Sequence, residues 1–405
     1  MRLCISLSRP NIPNFDKFHF GSQLLSAFAY LSNALNALKA LKRQEKERKE
    51  GVPFDMLRGT SLVAPRHLNV TKKLFLNSPC ALPRLLSQHR LLFREETTRT
   101  YFSFASRTPT SNTISIPSIT PRIQRRAFTM SEKLIPKNPS AVQVIRNVTP
   151  NVVTVSVPFL RFEKVPIGGR ATIIKLTTGS LAVFSPVALT DEVKAKVTEL
   201  GGNVGYLIAG DLEHHIFLTQ WKTEYPAAKL IGPKGLPERR KEMNDPMIGK
   251  EEFDFLYDET NAHSAAISDE FAADFEVEMV DAHPNKEIVL FYKPEKVLIE
   301  ADLMFNLPPT EQYSKVPEAE KKGGGLLKKI FYALNTTQGP AKGHKRLLWY
   351  AISNGNKNRA GFNESAKRIY GWDWVTLIPC HGDTIEGTGK ETFGKIFDWH
   401  LNGKK

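Results

Sequence analysis

The sequence predicts an α+β protein in which two β-sheets are covered by helices. Three observations carry this reading. Short Val-, Ile- and Phe-rich runs bounded by turn residues come in two series within residues 130–405. Helical patches with one apolar face lie between and after those runs. The basic excess of the chain is confined to the residues ahead of both series.

The charge count divides the chain. Its 405 residues include 56 Lys and Arg against 42 Asp and Glu, a formal net charge of +14. Residues 1–129 hold 21 basic against 7 acidic side chains, whereas residues 130–405 hold 35 of each. A surface that neutralises phosphates needs its positive charge on the folded body, so nucleic acid is not an expected partner. No apolar run reaches the roughly 20 residues that cross a bilayer, so a soluble protein without a membrane span is expected. Cys4, Cys80 and Cys380 are odd in number and widely spaced. Neither a disulfide framework nor a cysteine-type zinc motif follows, and a reducing compartment is the default.

Residues 1–129 form the first part, a basic and mostly disordered extension. From Met56 to Thr129 it is rich in Arg, Ser, Thr and Leu and poor in acids, as in Pro83-Arg84-Leu85-Leu86-Ser87-Gln88-His89-Arg90. Such composition is that of a mitochondrial presequence, which makes mitochondria the expected location. Two alternatives stand beside it: a solvated tail, or translation from Met130, which would leave a cytoplasmic protein. Residues 130–405 form the folded domain in every case.

The elements of that domain follow in order. Asn151–Val157, Ala171–Leu176, Leu181–Ser185 and Val204–Ala209 read as hairpin strands punctuated by turns such as Thr177-Thr178-Gly179. Thr190 can cap a helix whose first turn carries Asp191 and Glu192, acids that suit the positive end of the helix dipole. Val193, Val197 and Leu200 fall on one face of that helix. Lys229–Gly232, Phe275–Val280, Glu287–Tyr292 and Lys296–Glu300 form the second strand series. Helical patches follow at Leu326–Leu334, His344–Ile352, Asn363–Ile369 and Glu391–Leu401. Between the last two, Trp374–Ile378 reads as a buried strand ending in Pro379-Cys380-His381-Gly382-Asp383. Gly323-Gly324-Gly325 reads as a flexible loop, and His344 and His400 as packing residues.

Histidines collect where strands give way to loops. His214 and His215 follow Val204–Ala209, His283 follows Phe275–Val280, and His381 follows Trp374–Ile378; Asp302 likewise follows Lys296–Glu300. Loop ends on one edge of a sheet are where groups distant in sequence converge.

Three stretches carry a family resemblance: Val280-Asp281-Ala282-His283-Pro284-Asn285-Lys286-Glu287, Lys296-Val297-Leu298-Ile299-Glu300-Ala301-Asp302 and Leu377-Ile378-Pro379-Cys380-His381-Gly382-Asp383. The sequence resembles the metallo-β-lactamase superfamily, and more narrowly the branch known as a domain of unknown function (DUF4336), over roughly residues 141–402. The resemblance implies a four-layer αββα sandwich with a metal site on its edge. It assigns a metal-binding His, a bridging Asp and a last His to His283, Asp302 and His381. The family signature His-x-His-x-Asp-His falls on Gly210-Asp211-Leu212-Glu213-His214-His215, where His215 alone matches and His214 stands in the place of Asp.

A two-metal site needs about six or seven protein ligands and a shared oxygen bridge. His215, His283, Asp302 and His381 fall short of that, with His214, Asp211 and Glu213 as substitutes. They suffice for one zinc or iron ion with an open position for water. The expected function is a mononuclear metal-dependent hydrolase of a small ester, thioester or lactone. The alternative is a non-catalytic descendant of the fold, with a degenerate metal site, that binds a small ligand or a protein.

Overall fold

The computed structural model describes residues 136–321, 325–353 and 357–404. The expected extension, residues 1–129, lies outside the described residues, as does most of the Gly323–Gly325 loop.

The first half opens with a short helix, α1 (Pro139–Val142), and the strands β1 (Val144–Thr149) and β2 (Val152–Val157). A small two-stranded flap, β3 (Leu160–Arg161) and β4 (Val165–Pro166), precedes β5 (Gly169–Lys175) and β6 (Leu181–Phe184). Then strands and helices alternate: α2 (Asp191–Glu199), β7 (Val204–Ile208), α3 (Leu218–Glu224), β8 (Lys229–Pro233), α4 (Leu236–Glu242) and β9 (Phe255–Tyr257). The strands form a seven-stranded sheet of order β1-β2-β5-β6-β7-β8-β9.

The second half starts with α5 (Asp269–Asp274) and the hairpin-linked strands β10 (Phe275–Val280), β11 (Glu287–Tyr292) and β12 (Val297–Glu300). Four helices follow: α6 (Gly325–Asn335), α7 (Lys342–Leu347), which runs into a π-helical stretch at Leu348–Ile352, and α8 (Arg359–Gly371), with β13 (Thr376–Pro379) between it and α9 (Gly389–Ile396). A short α10 (Asp398–Asn402) ends the fold, and β10-β11-β12-β13 form the second sheet.

The pairing corrects one expectation. Leu181–Phe184 and Val204–Ile208 are not a hairpin but a parallel pair, and Lys229–Pro233 joins the first sheet beside them, also parallel. The reason is the helix between each pair: α2 and α3 carry the chain back to its starting end, which antiparallel strands do not require. Two further strands escape the hydrophobic pattern. β1 has no fully buried residue and lies at the sheet edge, and β9 has three residues.

Burial gives four layers. Ile174, Ala182, Phe184 and Ile208 of the first sheet pack between the sheets against Val277, Met279, Ile288, Leu290 and Ile299. The opposite face of the first sheet, with Val155, Ile173, Val183 and Leu207, is covered by Val193, Val197 and Trp221 of α2 and α3. The opposite face of the second sheet, with Val289, Phe291 and Leu298, is covered by Phe362, Ile369, Phe393 and Ile396 of α8 and α9. Each fully buried aliphatic or aromatic side chain contributes about 1.5–3 kcal/mol of transfer free energy. This is the expected αββα sandwich. The predicted cap on α2 is present as well, with Thr190 Oγ1 accepting from the Val193 amide at 3.4 Å.

One edge of the sandwich is stitched. The amide of Ile288 donates to the carbonyl of Gly210 at 2.7 Å, that of Leu212 to Asn285 at 3.0 Å, and that of Cys380 to Glu300 at 3.1 Å. The parallel pairs β6–β7 and β12–β13 bring their C-terminal ends to this edge. Loops after β7, β10, β12 and β13 therefore meet there.

Candidate metal centre

His381 stands at the end of β13 with its Nδ1 2.7 Å from the Gly168 carbonyl. A carbonyl oxygen only accepts, so Nδ1 carries a proton and Nε2 is turned toward the site. Gly168, at φ +72°, is required here: a Cβ would meet the Gln312 side chain at 1.9 Å. Gln312 in turn donates to the carbonyls of Cys380, at 2.8 Å, and Gly169, at 3.1 Å.

His214 is held in the same way from the other sheet. Its Nδ1 lies 2.9 Å from Asp211 Oδ1, which also accepts from the amides of Glu213 and His214 at 2.6 and 2.8 Å. A carboxylate partner puts the proton on Nδ1 and turns Nε2 inward. The two Nε2 atoms are 3.2 Å apart, and Asp302 Oδ1 is 3.1 Å from that of His381. Ligand atoms of His214, Asp302 and His381 all lie within 4.8 Å of one another.

Two ring lone pairs at that separation repel unless a proton or a cation sits between them. Ligands about 2.0–2.1 Å from one ion, at a tetrahedral angle, are about 3.3 Å apart. The donor set of two imidazoles and one carboxylate could thus hold one metal ion, with a position left open.

The Asp302 loop is held from beneath by two buried acids. Glu287 accepts from the amides of Ala301 (2.5 Å) and Asp302 (3.0 Å), and Glu300 from those of Leu303 (2.8 Å) and Met304 (3.2 Å). Burial and neighbouring carboxylates push both acids well above the usual carboxylate range. Asp302 moves the other way: burial opposes its charge, but His381 and His214 outweigh that and hold its carboxyl below the usual range. For His214 burial disfavours the cation, yet Asp211 prevails and raises its pKa to about 9.

The structure therefore brings His214, Asp302 and His381 together and places the other candidates differently. His215 is buried beside Arg240, whose Nη1 lies 3.3 Å from its Nδ1 and donates to its carbonyl at 2.7 Å. Burial and that guanidinium drive its pKa down to about 3. His283 is buried, its Nδ1 accepting from the Asn285 amide at 3.3 Å, and burial lowers its pKa. In the neutral ring that leaves the proton on Nε2, which makes it a donor rather than a ligand there. Asp211 supports His214, and Glu213 is paired with Arg161 at 2.5 Å.

Packing is tight on the other side of the His214 loop. A Cβ on Gly210 would lie 2.6 Å from the Phe184 ring, 2.7 Å from Ser185 Oγ and 2.9 Å from Ala301, and Leu212 packs into the outer core of the first sheet. Position 210 has no room for a larger side chain without a shift of its neighbours. Sequence reasoning passed over the Gly168 carbonyl, Asn285, Glu287 and Glu300. The signal for the two acids was present, since each stands directly beside a run of apolar strand residues.

Residues 160–327 match the family described as domain of unknown function (DUF4336). No curated protein matches the chain. Among solved structures, the DIM-1 metallo-β-lactamase exposed to ceftazidime aligns with 65% of this chain and 98% of its own, at 10% identity and a TM-score of 0.42. A metallo-β-lactamase from Pontibacter korlensis aligns over 64% and 99%, at 10% identity and 0.40. A mutant flavo di-iron protein from Thermotoga maritima aligns over 64% and 61%, at 12% identity and 0.40. The family match thus covers the part of the chain from β3 to the start of α6. Among the described residues no helix is long and apolar enough to cross a membrane.

Proposed function

We propose that the chain binds one zinc or iron ion through His214, Asp302 and His381 and hydrolyses a small ester, thioester or lactone. The observation that carries this reading is the convergence of two Nε2 atoms, each ring fixed by an acceptor on its Nδ1, with Asp302 Oδ1. A divalent ion held there supplies Lewis acidity that polarises a carbonyl oxygen and acidifies water. The chain's own residues do the rest. Asp211 and the Gly168 carbonyl orient the two rings, and the Asn285 amide group occupies Asp302 Oδ2 at 2.7 Å so that Oδ1 faces inward. Phe305 and Phe159 lie against the His381 ring at 4.6 and 6.1 Å between centroids. That apolar wall suits an acyl group, and the neutral charge balance of residues 130–405 disfavours a phosphodiester.

A second reading has its own support. With His214 raised to about 9, a proton on its Nε2 can bridge to His381 in place of an ion, which is what a metal-free, ligand-binding descendant would use. Elemental analysis of the chelator-free protein separates the two. About one equivalent of zinc or iron is expected. Less than ~0.1 equivalent, with no uptake of added zinc or iron, would remove the hydrolase reading.

A further inference from the structure

Asn285 sits between two acids. Its Nδ2 lies 2.7 Å from Asp302 Oδ2 and 3.3 Å from Asp211 Oδ2. Both neighbours are carboxylate oxygens, so the amide nitrogen and not its oxygen must face them. Asp211 is fully buried and the Asp302 side chain nearly so, at 8% exposure. Two carboxylates brought this close out of water repel, and beyond the nearby His214 ring a group with positive character between them relieves that repulsion. A metal ion does this in many proteins; here a neutral N–H₂ group does it.

The backbone of Asn285 fixes the group in place. Its carbonyl accepts from the Leu212 amide at 3.0 Å and its amide donates to His283 Nδ1 at 3.3 Å. One residue thus ties the loop after β7 to the loop after β10 and to Asp302. Asn285 itself is half-buried.

We infer that Asn285 restricts the site to a single ion: its amide holds Asp211 and Asp302 together where a second cation would otherwise bind. The amide then has two effects at once. It removes the second ion, and it commits Asp302 Oδ2 to a hydrogen bond so that the residue presents one oxygen to the first ion. An acid at position 285 would instead place a third carboxylate between the other two, an oxygen-rich set that suits a hard cation such as Mn²⁺.

The test counts bound Mn²⁺ per full-length chain, by electron paramagnetic resonance of the free ion, for the unaltered protein, Asn285→Asp and Asn285→Ala. The inference concerns the same site as the metal reading, but the two are read from different quantities. The metal reading is tested by the zinc or iron content of the unaltered chain, which the Mn²⁺ count does not replace. The difference between variant and unaltered chain tests Asn285. Asn285→Asp is expected to bind one ion more than the unaltered chain. Asn285→Ala, which leaves Asp211 and Asp302 facing each other, gains the same extra ion more weakly and decides the matter if Asn285→Asp does not fold. Equal counts in the unaltered chain and the folded variants would overturn the inference whatever the count itself is.

Discussion

The loops after β12 and β13 and the loop after β7 reach the same edge of the sandwich by different means. Asp302 and His381 stand on backbone tied down residue by residue: Glu287 and Glu300 accept from four successive amides, and Gly168 takes the Nδ1 proton of His381. After β7, by contrast, packing has taken over part of the site. Phe184, Ser185 and Ala301 fill the space beside Gly210, Leu212 has joined the outer core, and His215 has turned to Arg240. His214 alone turns inward, with Asp211 as its support. One side of this edge is thus given over to packing while hydrogen bonds fix the other.

The largest expected effect tests the side fixed by hydrogen bonds. Asp302→Ala or His381→Ala should lower metal occupancy by more than the ~10- to 100-fold typical of an outer partner, at an unchanged far-ultraviolet dichroism spectrum. Retained occupancy in either variant would break the contrast.

The pH dependence of binding tests the packed side. With a pKa of about 9, His214 carries a proton at neutral pH that an incoming ion must displace. Zinc affinity should therefore rise about tenfold per pH unit between pH 7 and that pKa and then flatten, with about one proton released per ion. Calorimetry in buffers of different ionisation heat reads the proton directly. Release of none would mean that His214 is neutral or does not bind.

Filling the sealed position should cost less. Gly210→Ala forces a methyl group against Phe184 and Ser185 and is expected to lower stability by about 1–3 kcal/mol in denaturant unfolding. A neutral result would show that the loop can relax and that the seal is soft.

A buried histidine away from the site sets the baseline. His344 donates from Nδ1 to the Thr336 carbonyl at 3.2 Å, and burial drives its pKa down to about 4. The unfolded chain binds the extra proton between about pH 6.5 and 4, so this contribution is present above 6.5 and is lost as pH falls. Between pH 7 and 5 the loss is about 2 kcal/mol, and His344→Gln should remove that part of the slope.

How much of this was legible in the sequence differs between the same two regions. Strand patterning located β2, β5 to β8 and β10 to β13, because their alternating or continuous apolar residues report burial directly. It missed β1, which exposes too much polar surface at the edge, and the parallel order of β6 to β9, which depends on helix crossovers. Within the site, the strand-end positions of Asp302 and His381 were visible as motifs. His214 was visible only as a substitute, since a period of residues cannot say which of two adjacent rings turns inward. Asp211, three residues before it, was the available signal. The Gly168 carbonyl left no trace, because any residue carries one.

The most direct test of the account compares His214→Ala with His215→Ala in the full-length protein, measuring zinc and iron content together with the thermal unfolding midpoint. His214→Ala should lose the ion as fully as Asp302→Ala does. His215→Ala should keep it, while unfolding at a lower temperature because Arg240 loses its ring partner. The reverse pattern, with the ion lost from His215→Ala and kept in His214→Ala, would contradict the assignment of the site.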